Sequence, residues 1–262
     1  MTARLSRQQL NQYDRNGIVF PIKVFSVDEV SLFRGALESI ADNYGEGSLK
    51  RFDCLHLFFD WAHRLVTHGA LLDAVEDIVG GDIVIYGTLV FFKPPQDSSY
   101  VSWHQDSVYS GLHLTPSTSA WIALTASHGA NGCMRVLPGS HKQGLLDHAN
   151  VRGDPNLLRR GERVKMAVDE SQAIDVVLQP GEMSLHHSTI VHGSNPNTSD
   201  KPRIGFIVRF VTNRITNRDK PMLRARGEAD CSHLSFAQPP LEMDQQSAFA
   251  AWRGFSSDKS YG

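Results

Sequence analysis

The chain has 262 residues, 41% of them hydrophobic and 21% charged, with a formal net charge of -2 and a pI near 6.6. That length and composition fit one large domain or two small ones with a real core, and exclude an extended disordered chain. The balanced charge without a basic run excludes a nucleic-acid-binding surface. The lack of both a long apolar run and a signal-peptide pattern points to a cytoplasmic protein with no membrane span.

In chain order, residues 6–15 have helical character and Asn16-Gly17 stops them. Residues 18–20 read as a short strand ended by Pro21. Ser26 and Glu29 form a capping box opening a helix to about Tyr44, with Val30, Phe33, Leu37 and Ile40 on one stripe. A second helix is expected over residues 59–78, ending at Gly80-Gly81.

From Asp82 the pattern changes. Residues 84–92 are rich in β-branched and aromatic side chains and end at Pro94-Pro95. Short strands are expected at 100–105, 119–125, 132–137, 173–177, 183–187, 189–192 and 203–211, separated by Pro/Gly/Asn turns. Residues 147–165 read as a strand-poor loop near a barrel mouth, and residues 220–262 as a tail that wraps the surface or frays. Helices first and many short strands after predict a mainly β protein with flanking helices, built on a double-sheet jelly roll. The expected organisation is one domain over 1–262: a helical part at 1–81, a jelly-roll core at 82–215 and a tail at 216–262. Cys54, Cys133 and Cys231 are far apart and form no C-x-x-C pair, which argues against a zinc site or a disulfide framework and fits a reducing compartment.

Trp103-His104-Gln105-Asp106 carries the chemistry. His104 and Asp106 share one face of an extended strand. With a distant third ligand they make the two-His-one-carboxylate facial triad, which holds Fe(II) and leaves an open face for co-substrate and O2. Downstream, His186, His187 and His192 compete for the third place.

Three further segments follow in order: Asn131-Gly132-Cys133-Met134-Arg135-Val136-Leu137-Pro138-Gly139-Ser140-His141, Pro180-Gly181-Glu182-Met183, and His192-Gly193-Ser194 leading to Arg203. Together with Trp103–Asp106 they resemble the phytanoyl-CoA dioxygenase family. The resemblance implies a jelly-roll (cupin-like) core, Fe(II), 2-oxoglutarate and O2, and hydroxylation of a C–H bond with release of succinate and CO2. It selects His192, immediately before Gly-Ser, as the distal ligand, leaving His186 and His187 as packing or supporting residues. It implies that Arg203 pairs with the distal carboxylate of 2-oxoglutarate, as a planar guanidinium fork can, helped by the Ser194 hydroxyl. Trp121 matches a tryptophan lining the co-substrate pocket; the other reading is a plain core residue.

Lys93 lies where the similar ectoine hydroxylases carry a lysine on 2-oxoglutarate; otherwise it is an exposed residue before the prolines. Gly87, Leu89 and Phe91 stand where those enzymes are polar, which speaks against ectoine as substrate. Related halogenases carry Ala or Gly at the position of Asp106, so hydroxylation or desaturation is favoured here.

Arg209 shares parity with Arg203 and either faces inward toward substrate or sits in a surface salt bridge. Arg51, Tyr109, His113 and the segment 156–160, with Arg160, flank the expected mouth. Several arginines there suit a small anionic or zwitterionic metabolite, the only partner expected for a monomer or homodimer. Desaturation or epimerisation by the same iron chemistry, and a non-catalytic sensing jelly roll, are the alternatives.

Overall fold

The computed structural model describes residues 4–44, 51–109, 116–151, 155–216, 221–240 and 243–257. In chain order the helices and strands are α1 (Arg7–Asn16), β1 (Ile18–Lys23), α2 (Val27–Tyr44), β2 (Arg51–Asp53), α3 (Asp60–Val66), α4 (Gly69–Val79), β3 (Ile83–Lys93), β4 (Val101–His104), β5 (Ser117–Ala123), β6 (Met134–Val136), β7 (His148–Asn150), β8 (Glu162–Val164), β9 (Ile174–Asp175), β10 (Glu182–His187), β11 (His192–Ser194), β12 (Arg203–Thr212), β13 (Leu223–Arg226) and α5 (Gln245–Ser257).

The strands form a jelly roll of two antiparallel sheets. The major sheet runs β1-β10-β5-β12-β3-β13, with β2 also paired to β3; the minor sheet runs β4-β11-β6-β9. Strand alternation divides the major sheet's side chains between two cores. Val90, Ile122, Leu185, Phe206 and Val208 pack outward against Leu37, Ile40, Leu71 and Val75 of the helices. Leu89, Phe91, Trp121 and Ile207 point inward and meet Val101, Met134 and Val136 of the minor sheet. The cavity described below lies in this second, inter-sheet core.

The helix starts follow local chemistry. Ser6 and Gln9 cap α1 reciprocally, and Gly17 ends it in the left-handed conformation at φ 76°. At the start of α2, the Glu29 carboxylate accepts from the Ser26 backbone N–H at 2.7 Å and the Glu29 N–H donates to Ser26 Oγ at 3.3 Å. Each such cap stabilises by about 1 kcal/mol.

Five local expectations need correcting. The first strand continues through Pro21 to Lys23, because β1 is an edge strand and an exposed proline there removes no ladder bond that is needed. The helix expected over 59–78 is two, α3 and α4. Thr67 Oγ1 donates to the His63 carbonyl at 2.8 Å and His68 is extended at ψ 130°, so the chain turns before Gly69. The strand expected at 189–192 begins only at His192; Ser188 and Thr189 form a turn that carries the chain from the major to the minor sheet. Within 147–165 lies a short hairpin, β7 with β8. The expected tail contributes β13 to the major sheet and a helix, α5, whose Trp252 is buried, packs on Phe52 and donates to the Asp53 carbonyl at 2.7 Å. Its apolar residues Ala248, Phe249 and Trp252 pack against the helical core.

Candidate active site

His104 ends β4 and His192 opens β11, and the two are direct cross-strand partners. Their rings lie 4.2 Å apart by centroid. Asp106 opens the turn just after β4, two residues beyond His104. One donor atom from each of the three lies within 4.8 Å of the others, and all three residues are buried. Among the described residues this is the one group of three or more His, Cys, Asp or Glu side chains that converges in this way.

The donors are prepared for a cation. His104 Nδ1 donates to the carbonyls of Ser102 at 2.9 Å and His192 at 3.1 Å, and His192 Nδ1 donates to the Ile190 carbonyl at 3.1 Å. A carbonyl can only accept, so the proton sits on Nδ1 and each Nε2 keeps its lone pair. Burial lowers the pKa of His104, and that of His192 falls well below the usual imidazole range, so both are neutral near pH 7. Burial opposes ionisation of Asp106, but Arg209, the hydrogen bond from His186 and the neighbouring imidazoles outweigh it and hold the carboxyl well below its usual range. Two neutral imidazoles and one carboxylate are the donor set that fits iron(II).

Asp106 is gripped by a row of the major sheet. His186, Ser119 and Arg209 are register partners across β10, β5 and β12. Ser119 Oγ donates to Asp106 Oδ2 at 2.7 Å, and His186 Nε2 lies 3.5 Å from the same oxygen. Arg209 donates to Oδ1 from Nη2 at 2.7 Å and from Nε at 3.2 Å. Of the two readings for Arg209, inward-facing or in a surface salt bridge, the inward one holds, and its partner is Asp106 inside the site. Ser119 was not anticipated. Its inward parity with Trp121 was readable, but its alignment with Arg209 and His186 depends on strand register, which a single sequence does not contain.

At the other end of β12, Arg203 and Lys93 are cross-strand partners, 1% and 0% exposed. The Lys93 ammonium group donates to Ser194 Oγ at 2.8 Å and to the Asn195 carbonyl. Arg203 lies over the Trp121 ring at 5.2 Å, and its Nε has no hydrogen-bond partner. Among the described residues no carboxylate forms an ion pair with either cation. Burial, reinforced by Arg203, depresses the Lys93 pKa to about 6; burial lowers Arg203 to about 10. A buried guanidinium beside a buried amine, neither paired with a carboxylate, marks a place built for an anion. Gly205 makes room for this arrangement, since a Cβ there would lie 2.1 Å from the Trp121 ring.

One cavity joins the two ends. Its lining includes His104, Asp106, His192, Ser194, Arg203, Trp121 and Arg209, with His186 beside Asp106 and an apolar wall of Leu89, Phe91, Leu158 and Ile207.

Arg51 and Arg160 are not among its lining residues. Arg51 pairs with Asp53 at 3.0 Å, donates to the Leu157 carbonyl at 3.1 Å and lies over Phe91, so it fastens the cavity rim rather than lining it. Arg160 is exposed on the turn where Leu158 points inward. Tyr109 closes the turn begun by Asp106, and His113 lies outside the described residues. His187 binds Thr189, away from the triad. Trp103 faces outward under Arg135.

Comparison with known proteins agrees with this geometry. The chain is 34% identical to the "Phytanoyl-CoA dioxygenase domain-containing protein 1 homolog" of Dictyostelium discoideum, covering 79% of this chain and 92% of that one. It is 32% identical to a Stutzerimonas stutzeri protein named "Probable alpha-ketoglutarate-dependent hypophosphite dioxygenase" over 62% of this chain, and it spans 57% of that relative's length. The solved structure of the non-haem monooxygenase ThoJ, in its apo form, superposes with a TM-score of 0.78 at 30% identity, covering 93% of both chains. No helix among the described residues is long and apolar enough to cross a membrane. The family profile of phytanoyl-CoA dioxygenase matches residues 13–205. With that match over most of its length, the chain belongs to the phytanoyl-CoA dioxygenase family and is a non-haem oxygenase that uses iron(II), 2-oxoglutarate and O2.

Proposed function

We propose that this enzyme hydroxylates a C–H bond of a small anionic or zwitterionic metabolite. His104, Asp106 and His192 hold the iron, while Arg203, Lys93 and Ser194 receive the distal carboxylate of 2-oxoglutarate beside Trp121. The observation that carries the reading is the distribution of charge at the cavity: Arg203, with Lys93 beside it as its cross-strand partner, at one end, the triad between, and Arg209 at the other. Arg203 and Arg209 are six residues apart on one strand, roughly 20 Å by the rise of extended chain.

Bound iron(II) and 2-oxoglutarate supply, with O2, the oxidising power that breaks the substrate bond while the 2-oxo acid leaves as succinate and CO2. The protein's own contribution is placement. The Nδ1–carbonyl hydrogen bonds fix both imidazole rings, and Ser119 and His186 fix the Asp106 carboxylate. Arg203 offers a full charge, and Lys93 an amine that takes up a proton as the carboxylate arrives, in a dry site where an anion's hydration is replaced at little cost of reorganisation. Leu89, Phe91, Leu158 and Ile207 exclude water from the substrate end and match an apolar carbon skeleton. Asp106 supplies the carboxylate whose absence would admit a halide, so oxygen insertion is favoured over halogenation. The whole chain acts as one catalytic unit, with α5 anchoring the rim at Asp53, as a monomer or homodimer in a reducing cytoplasm.

The test is succinate formation with iron(II), 2-oxoglutarate and O2 against a panel of small carboxylates, phosphonates and amino acids. Hypophosphite belongs in the panel, being named for the Stutzerimonas relative. Substrate-stimulated succinate release confined to anionic compounds supports the reading; stimulation by uncharged or cationic compounds alone defeats it.

A further inference from the structure

Among the described residues that line the cavity, all but Asp106 and Leu158 stand on strands of the two sheets. Asp106 follows β4 directly, whereas Leu158 belongs to the turn at 155–161, which reaches from one sheet to the other. On the minor-sheet side, the Leu157 N–H donates to the Tyr100 carbonyl at 2.9 Å and Asn156 Nδ2 donates to Ser102 Oγ at 2.8 Å. On the major-sheet side, Arg51 Nη1 donates to the Leu157 carbonyl at 3.1 Å and Arg159 Nη2 donates to Asp53 Oδ2 at 2.8 Å. Arg51 and Asp53 are the β2 partners of Phe91 and Leu89 on β3. Opposed residues of an antiparallel pair share a face, so both extend the rows of the apolar wall past the edge of β3.

Asp53 joins these ties. Besides Arg159 it accepts from Arg51 Nε at 3.2 Å and from Arg51 Nη2 at 3.0 Å. Burial opposes its ionisation, but Arg51, Arg159 and Arg209 outweigh that and hold the carboxyl below its usual range. Its backbone is fixed from the other side, where Trp252 Nε1 donates to the Asp53 carbonyl at 2.7 Å. The carboxylate therefore has a firm seat, and both residues it holds, Arg51 and Arg159, lead within one residue to Leu158.

We propose that Asp53 is a positioning residue. Through Arg51 and Arg159 it seats Leu158 against the cavity, and so sets the width of the end that receives the substrate. The proposal rests on the functional reading above for which end that is, but not for the charge of the substrate.

The test uses no substrate, so its outcome is separate from that of the substrate panel. Leu158→Cys places a thiol in the wall, and its reaction with a chromogenic aromatic disulfide reports how often the turn leaves its seat. The native Cys54, Cys133 and Cys231 are buried and supply the baseline. Adding Asp53→Asn should speed the labelling about fivefold, the loss of one partly exposed ion-pair cluster. Arg159→Gln should act in the same direction, and the two together should give less than the product of their separate effects. Salt should speed the labelling of Leu158→Cys alone and have little effect once Asp53→Asn is present. Ile207→Cys, on β12 in the same cavity, should be indifferent to Asp53→Asn. A labelling rate at Leu158→Cys unmoved by Asp53→Asn overturns the proposal, as do equal accelerations at Leu158→Cys and Ile207→Cys, which would mean a general loosening. If the cysteine variant does not fold, hydrogen exchange decides. Asp53→Asn in the otherwise native chain must speed exchange of the Leu158 N–H, which donates to Asn156 Oδ1 at 3.1 Å, while leaving the Ile207 N–H unchanged; unaltered exchange at Leu158 overturns the proposal.

Discussion

Among the described residues, Arg203 heads the fully buried side chains by volume, yet no carboxylate there forms an ion pair with its guanidinium. An unpaired buried charge costs stability and is retained where a ligand supplies the counter-charge. Arg203→Met is therefore expected to raise the melting temperature of the metal- and ligand-free protein while weakening 2-oxoglutarate by about 3–5 kcal/mol. Iron affinity should be nearly unchanged. Thermal unfolding and a co-substrate titration in the same variant check both halves, and a destabilised variant with normal co-substrate affinity would contradict the assignment. Lys93 gives a proton-linked counterpart. Its pKa is depressed to about 6 by burial and by Arg203. The free protein therefore holds it neutral at pH 7.5, and an arriving carboxylate favours the charged form. Binding of 2-oxoglutarate should take up a proton there, and affinity should fall as pH rises from about 6 toward the pKa of the complex. Calorimetry in buffers of different ionisation enthalpy measures the uptake, and Lys93→Met should abolish it.

At the scale of elements, the site is a product of register. Row by row across β10, β5, β12 and β3, the inward residues are His186, Ser119 and Arg209, then Ser184, Trp121, Ile207 and Leu89, with Arg203 and Lys93 beyond. Gly205 separates the last two groups by letting Trp121 lie flat on its strand. Gly205→Val should force the indole away, at a packing cost of about 1–3 kcal/mol. It should lower 2-oxoglutarate affinity far more than a comparable outward substitution such as Val208→Ala; equal effects in equilibrium titrations would mean that the Trp121–Arg203 stack carries no binding energy. The residues His104, Asp106, His192, Arg203 and Lys93, which the structure gathers around one cavity or buries beside it, could be singled out in the sequence because short motifs carry them. Ser119 and the Asp106–Arg209 pair were not, because a single chain does not state which strands are neighbours. The break at Thr67-His68 was hidden because a hydroxyl bond to the preceding turn competes with helix propagation on nearly equal terms. The last helix was hidden because its value lies in Trp252 reaching Asp53, a partner far away in the chain.

For the whole molecule, a ligand that binds only the folded state shifts the unfolding equilibrium, by about 2.7 kcal/mol at a hundred times its dissociation constant. Manganese(II) with 2-oxoglutarate should accordingly raise the melting temperature of the wild type by several degrees. Asp106→Ala should lose the response to metal, and Arg203→Met should keep the response to metal while losing the increment from 2-oxoglutarate. Differential scanning fluorimetry separates the three, and an undiminished metal response in Asp106→Ala would remove the triad from consideration.

The two histidines stand on the minor sheet, whereas Lys93, Trp121, Arg203 and Arg209 all stand on the major one. The cavity is thus the gap of a vice, with the two imidazoles on one jaw and the basic groups on the other, and with Asp106 and Ser194 bonded across it. A geometry that needs both jaws at once exists only at one separation of the sheets. Residues that set the spacing without touching either ligand, such as Val136 and Ile190 in the inter-sheet core, therefore tune how well two independent binding events become a single reactive centre.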